Sequence, residues 1–305
     1  MMANQHNDRR AGFSLIEVMV AVVVMGVVTS QLLLSFSKQH TSSLEHERTI
    51  EIQEEARLVL NVIVKDLRSG GFMVPKYAAV ASTDGGANGS DALCISDATI
   101  INDAVLVDST SKFAGASVAG PIAGGATAVN VRTSTIDIDS DGTNDFSTGQ
   151  GLIIGTGTRG HCAIIDSVVI AGATTRIEFS PATIGGFVAS TDDTVIPALR
   201  YNVNAGTLSR NNIVLSDHIE DLQAEFGLDI DRNGTVEGAE FPIDDLDFEE
   251  YELVRNVRVH ITARETRAEG NFNGQFPAIA NRVAGLADNF KRRRVTGDVM
   301  LRNLK

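Results

Sequence analysis

An uninterrupted apolar run from Phe13 to about Phe36 constrains this chain more than any other stretch. As a helix it spans about 36 Å, enough to cross a bilayer with some tilt. A polar leader, Met1 to Gly12, precedes it and carries Arg9 and Arg10, so the leader is expected on the cytoplasmic side and the remainder outside. An ordinary secretory signal has its cleavage site after the apolar core, among small residues. Here the evident junction, Gly12-Phe13, lies before the core, and a cut there would remove the leader and keep the helix. One acid, Glu17, falls in the first turn of the run. A carboxylate in hydrocarbon costs at least ~2.5 kcal/mol, so a functional role is the default reading. The helix macrodipole favours an acid at that end, and the alternative is an interfacial side chain that only snorkels toward the headgroups.

The chain has 305 residues, and the portion beyond the apolar run is long enough for one large or two small domains. Net charge is −13, and loss of a leader carrying Asp8, Arg9 and Arg10 would make it one unit more negative. An exported domain this acidic is a poor general binder of nucleic acid and suits solubility and cation binding better. With 28 Gly, 3 Tyr and no Trp, the domain is expected to be turn-rich β structure with a modest aromatic core. The two cysteines, Cys94 and Cys162, either form one disulfide outside the membrane, worth on the order of 4 kcal/mol in the chain-entropy model, or stand as separate buried thiols. Their spacing does not suit a zinc site.

Helical composition continues past the apolar run. From Lys38 to Arg68 there is no Gly or Pro, and Ile52, Ala56, Val59, Ile63 and Leu67 recur at three- and four-residue steps, with Leu60 and Val64 widening the stripe. Glu54, Glu55, Arg57, Lys65, Asp66 and Arg68 are expected on the other face. Gly70-Gly71 ends the helix and Pro75 prevents a restart. The stripe predicts packing on a globular domain; sustained heptads for an independent coiled coil are missing. Beyond it, β-branched segments at 104–107, 127–131, 151–154, 163–170, 175–179, 213–215, 222–228 and 254–262 read as strands. The Gly-, Ala- and Ser-rich stretch from Ser111 to Gly125 reads as a surface loop.

The stretch GFSLIEVMVAVVVMGVV resembles the class III signal of type IV pilins and pseudopilins. The resemblance implies that a prepilin peptidase cuts after Gly12, that Phe13 becomes an N-methylated amino terminus, and that Glu17 offsets the buried amine of a neighbouring subunit during assembly. The proline that many major pilins carry further along this helix is missing here. The segment QEEARLVLNVIVKDLRSGGF (53–72) is similar to the same region of large PilW-like minor pilins. So are Ala198-Leu-Arg-Tyr201 with Gly206-Thr-Leu-Ser-Arg210, a "YxVxxGTLxR" hairpin, then Ile219 to Gln223, and an ending with Arg292-Arg-Arg-Val295 and Leu301-Arg-Asn303. The disulfide known near the C-terminus of pilins is not reproduced. The resemblance implies an α+β fold: a cleaved leader (1–12), a transmembrane and assembly helix (13–36), an amphipathic continuation (37–70) and a β-rich exported domain (71–305). It implies a non-catalytic minor pilin that helps initiate or cap a type IV pilus. Its partners would be other minor and major pilins, the prepilin peptidase, the inner-membrane assembly platform and a tip adhesin. A type II secretion pseudopilin and an adhesin or uptake subunit are the alternatives.

Two acidic stretches carry calcium-loop spacing. Asp229, Asp231, Asn233, Thr235, Glu237 and Glu240 match the twelve-residue EF-hand loop at every diagnostic position, with Gly234 at the sharp turn. Alternate residues present oxygens to one side of a tight loop, where a hard cation such as Ca2+ collects them. The flanks read as strand or irregular chain, so this is a loop grafted on a β scaffold. Asp137, Asp139, Asp141, Thr143 and Asp145 repeat the first half of the pattern, but its twelfth position is Thr148, which cannot bind in two-toothed fashion. Either stretch read without a cation is an acidic turn. No catalytic frame accompanies His161-Cys162, and Gly155-Thr-Gly-Thr-Arg-Gly160 fits no phosphate-loop pattern, so no enzymatic activity is expected. Arg292 to Arg294 read either as a contact for an acidic neighbour or as a solvated guard on an edge strand.

Overall fold

The apolar and amphipathic stretches form one helix, α1 (Leu15–Ser69). The structure is a computed structural model and describes residues 14–101, 115–156, 160–183, 187–191, 193–244, 253–270 and 272–304. By its contacts the chain divides after Ile50. Gly12, Phe13 and the strand expected at 104–107 lie outside the described residues.

In the first unit, α1 presents large apolar side chains on every side. From Leu15 to Phe36 they are between 49% (Val28) and 78% (Leu15) exposed. A helix that is apolar all round needs lipid or other chains to cover it, and this one is long and apolar enough to cross a membrane.

In the second unit, Glu51–Lys305, the last turns of α1 bury Ile52, Ala56, Val59, Leu60, Ile63 and Leu67, the stripe read from the sequence. The polar face needs one correction: Asp66 is buried, at 8% exposure. The strands are β1 (Val80–Thr83), β2 (Ala92–Ile95), β3 (Ala116–Ser117), β4 (Ala128–Arg132), β5 (Gly151–Gly155), β6 (Gly160–Ala171), β7 (Thr174–Ser180) and β8 (Thr194–Asn204). After them come β9 (Thr207–Arg210), β10 (Ile213–Ser216), β11 (Ile219–Leu228), β12 (Val254–Arg264), β13 (Gly274–Gln275), β14 (Ala287–Asp288) and β15 (Arg292–Met300). The pairing is antiparallel among the described residues.

Helix α1 packs on the sheet β11-β12-β15. Close approach depends on Gly297 of β15: a Cβ there would stand 3.1 Å from Val64 and 3.2 Å from Leu60. The same core takes in β1, β2, the C-terminal half of β8 and β9. A second core lies between β3 and β8 and contains Val129, Val131, Leu152, Ile154, Ile165, Ile177, Phe179 and Phe187. Its strands run in the order β8-β5-β6-β7-β4, and β3 pairs β8 from the other side. Val118, just past β3, bridges Val131 of β4, and the Ala119 amide donates to Asn130 O at 2.7 Å. The strands therefore close into a small barrel. This corrects the surface loop expected over 111–125: from residue 115 on it supplies the closing strand, with Ala116 and Val118 fully buried. Residues 111–114 lie outside the described residues. Small side chains suit a segment that must pass close to two neighbouring backbones.

Strand β8 belongs to both halves. Its first residues pair β3 and β5, and its last pair β2 and β9. A disulfide joins Cys94 on β2 to Cys162 on β6, with Cα atoms 5.5 Å apart and a sequence separation of 68.

Candidate functional site

The start of α1 is a Ser-x-x-Glu turn. The Ser14 N–H donates to Glu17 Oε2 at 3.1 Å, while the amides of Glu17 and Val18 donate to Ser14 O at 3.0 and 3.2 Å. A helix leaves its first amides without partners, and a carboxylate at the third position reaches back to one of them. Glu17 therefore holds an amide of its own chain at the head of the exposed apolar helix. It is the one charged side chain between Ser14 and Ser37.

The two acidic stretches fold alike. In one, Gly234 N–H donates to Asp229 Oδ1 at 3.2 Å, Asn233 N–H to Asp231 Oδ1 at 3.1 Å, and Thr235 N–H to Asn233 Oδ1 at 2.7 Å. In the other, Gly142 N–H donates to Asp137 Oδ2 at 3.0 Å, Asp141 N–H to Asp139 Oδ1 at 3.2 Å, and Thr143 N–H to Asp141 Oδ1 at 2.7 Å. Gly234 and Gly142 take φ of 88° and 93°, a conformation that favours glycine. The loops differ in what balances their charge. Asp229 is 2% exposed and faces Arg255, whose Nε lies 3.3 Å from Oδ2. Glu240 turns inward to the loop's own amides, taking Ile230 N–H at 2.9 Å on Oε1 and Glu237 N–H at 2.9 Å on Oε2. The Glu237 amide, above all, holds the Glu240 carboxyl below its ordinary range. In the 137–145 loop the carboxylate oxygens of Asp137, Asp139 and Asp145 lie within 4.8 Å of one another. Burial pushes Asp145 up to about 6, opposed by the Ile138 amide and reinforced by the neighbouring acids. Both donor sets are oxygen throughout, the chemistry of a hard cation.

Three residues from two separate sequence patches meet where α1 ends. The Tyr201 hydroxyl on β8 donates a short hydrogen bond to Asp66 Oδ2, and Arg210 Nη2 on β9 stands 2.8 Å from the same oxygen. Tyr201 is fully buried, and burial together with the Asp66 hydrogen bond raises its phenol above the usual range. Asp66 comes from the DLR patch, and Tyr201 and Arg210 from the hairpin patch, so the cluster is the physical link between them. The sequence signal for it is an acid at a stripe-edge position of the helix, with a Tyr and an Arg at fixed spacing later in the chain.

The remaining singled-out residues have structural partners. His161 is 3% exposed, lies 5.7 Å from the rings of Phe179 and Phe187, and its Nε2 is 3.1 Å from Pro181 O; burial lowers its pKa. Arg292 pairs with Glu220 at 2.5 Å and Asp288 at 2.5 Å, while Arg293 and Arg294 are exposed on β15. The arginine run thus divides between a buried-side anchor and two solvated side chains.

Comparison with known families describes both ends of the chain. Residues 7–30 match the prokaryotic N-terminal methylation motif, and residues 187–303 match type IV pilus-assembly protein W. Among solved structures, a type IV-like pilin from Thermus thermophilus is similar at 14% identity, over 52% of this chain and 86% of that one, with a TM-score of 0.22. No curated protein matches the chain. With the methylation motif on the exposed helix, and that helix continuing into a β-rich unit, the chain is type IV pilin-like. Its C-terminal region, from the end of the barrel through β15, makes it PilW-like.

Proposed function

We propose that the chain is a minor pilin, a non-catalytic subunit that helps initiate or cap a type IV pilus. The observation that carries this reading is the bare apolar surface of α1 from Leu15 to Phe36, headed by the single acid Glu17. Cleavage after Gly12 by a prepilin peptidase frees Phe13 for N-methylation. The helix holds the subunit in the inner membrane, with the β-rich unit outside, until the assembly platform moves it into a filament. There the helix exchanges lipid for the helices of other minor and major pilins, and Glu17 meets the terminal amine of a neighbour. A large unit with its own barrel fits the end of a filament, beside other minor pilins and an adhesin, better than a repeated position along a thin shaft. The 137–145 and 229–240 loops are read as Ca2+ sites in which bound cation would stiffen the outer surface of the unit. Asp137, Asp139 and Asp145 would hold it in the first, and Asp229, Asp231, Asn233 and Glu240 in the second.

The test is mass spectrometry of sheared surface filaments and of the inner-membrane fraction, searching for a peptide that begins at methylated Phe13. Its presence in filaments supports a pilus subunit. Its confinement to the membrane favours a pseudopilin of a secretion system, and retention of Met1–Gly12 everywhere refutes the reading. Glu17→Ala is expected to leave cleavage intact and to lower the amount in filaments severalfold; wild-type incorporation would remove the role given to Glu17.

A further inference from the structure

The turn between β10 and β11 brings Asp217 and His218 against α1. The backbone of His218 is fixed on both sides: its N–H donates to Ser216 Oγ at 3.1 Å, and its carbonyl accepts the Arg264 amide at 2.9 Å. Glu55 stands on the stretch of α1 that buries Ile52 and Ala56, so its backbone is fixed too. The imidazole lies between carboxylates. Nδ1–H donates to Glu55 Oε2 at 2.6 Å, and Nε2 faces Asp217 Oδ1 at 3.5 Å. One ligand atom from each of the three side chains lies within 4.8 Å of the other two.

The two sides of the ring differ. With the hydrogen on Nδ1, the neutral imidazole points the lone pair of Nε2 at a carboxylate oxygen, and a proton or a metal ion has to stand between them. The 3.5 Å separation is longer than an ordinary hydrogen bond of about 2.7–3.2 Å. It fits a metal better: bonds of about 2.0–2.2 Å at the tetrahedral angle set an imidazole nitrogen and a carboxylate oxygen about 3.4 Å apart. A carboxylate on the opposite ring nitrogen is the common support of a metal-bound histidine, because it fixes the tautomer and makes the ligating nitrogen more basic. Among the described residues the charges that act on the ring are those of Glu55, Asp217 and Glu51, all acids. The Asp217 side chain is 75% exposed, which leaves space for water in the remaining positions. A mixed nitrogen and oxygen donor set separates this place from the two oxygen-only loops and suits a zinc-class ion over Ca2+.

We propose that His218 Nε2 and the Asp217 carboxylate bind a zinc-class divalent cation, with Glu55 as a positioning residue that orients the imidazole and water completing the coordination. The metal and a proton compete for the same nitrogen. A metal there locks the tautomer that donates to Glu55, and so tightens the tie between the β10–β11 turn and α1. The proposal does not depend on either acidic loop holding a cation, or on the chain being a pilus subunit.

The experiment is isothermal titration calorimetry of the full chain in detergent near neutral pH, with Zn2+ as the probe and millimolar Ca2+ present to compete at oxygen-only clusters. One saturable equivalent is expected, with Kd in the micromolar range. The Kd should rise at least tenfold in His218→Gln and in Asp217→Asn. It should stay within twofold in His46→Gln, which removes an exposed imidazole elsewhere on α1. Glu55→Ala should weaken binding about tenfold, and Glu55→Gln, whose amide oxygen still accepts from Nδ1–H, should recover most of that loss. Circular dichroism confirms that each variant is folded, and Asp217→Asn, at an exposed side chain, carries the test if His218→Gln does not fold. Absence of a saturable equivalent up to millimolar Zn2+ would overturn the proposal. Parent-like affinity in His218→Gln, or an equal loss in His46→Gln, would overturn it as well. No recovery in Glu55→Gln would remove the role given to Glu55.

Discussion

Replacement of Asp66 by alanine tests how α1 is fastened to the β-rich unit. The side chain of Asp66 is 11% exposed, accepts the Tyr201 hydroxyl and pairs with Arg210 at 2.8 Å. Its removal leaves the fully buried Tyr201 O–H without an acceptor, since its other neighbour, Arg210, can only donate, a penalty of about 1–3 kcal/mol. The ion pair adds less, because the Arg210 side chain is 36% exposed and water can replace the lost partner; about 1 kcal/mol is a fair ceiling. Asp66→Ala should therefore cost about 1–4 kcal/mol. Tyr201→Phe, which leaves Asp66 paired with Arg210, should cost about 1 kcal/mol. Since both changes remove the same hydrogen bond, the double variant should fall short of the sum by about 0.5–3 kcal/mol. The assay is urea denaturation of the full chain in detergent, followed by circular dichroism. Asp66→Ala within about 0.5 kcal/mol of the parent, or strict additivity in the cycle, would show that the cluster is incidental to the packing of α1.

Replacing both Cys94 and Cys162 by serine should lower stability by about 4 kcal/mol, given their sequence separation of 68, and a loss under about 1 kcal/mol in the same denaturation would contradict this. His218 Nδ1–H donates to Glu55 Oε2 on α1 at 2.6 Å, and that hydrogen bond, ahead of the charges of Glu55, Asp217 and Glu51, raises its pKa above 6.5. The folded state thus holds the proton more tightly than the unfolded chain. The stabilisation is complete below pH 6.5 and is lost as pH rises through the raised value. Melting curves from about pH 6 upward should show that decline in the parent chain and a flatter profile in Glu55→Gln; parallel profiles would exclude the linkage. Millimolar Ca2+ should raise the melting temperature relative to chelator, with Asp137→Ala and Glu240→Ala separating the two loops. An unchanged melt would reject both as cation sites.

The long helix is legible in the sequence because its signals are local: an apolar run, a three-four stripe, and a Gly pair at its end. Most strands past residue 125 are legible for the same reason, from β-branched runs between turn residues. Asp66 reads onto the solvated face because helical spacing gives a direction but not the partner waiting there, and Tyr201 lies 135 residues away. Strands β1 and β2 are four residues each and rich in small side chains, so they carry little pattern. Closure of the barrel rests on one bridge between Val118 and Val131, inside a stretch whose composition reads as loop. Nothing in the residue types alone distinguishes a buried closing strand of small side chains from a flexible connection. At the acidic stretches the spacing foretells the oxygens, while the placement of Arg255 beside Asp229 depends on a strand that follows the loop.

The way β8 and the disulfide are shared between the two cores has a mechanical consequence. Tension entering through α1 would reach Tyr201 on the half of β8 that pairs β2 and β9, while the other half of the same strand is a stave of the barrel. The barrel cannot be pulled away by peeling its strands one at a time. Either the eleven-residue strand must slide against neighbours on both sides together, or the load must pass along the covalent route from Cys94 to Cys162. The two cores are therefore coupled through one shared strand and one covalent link, and neither can be displaced without disturbing the other.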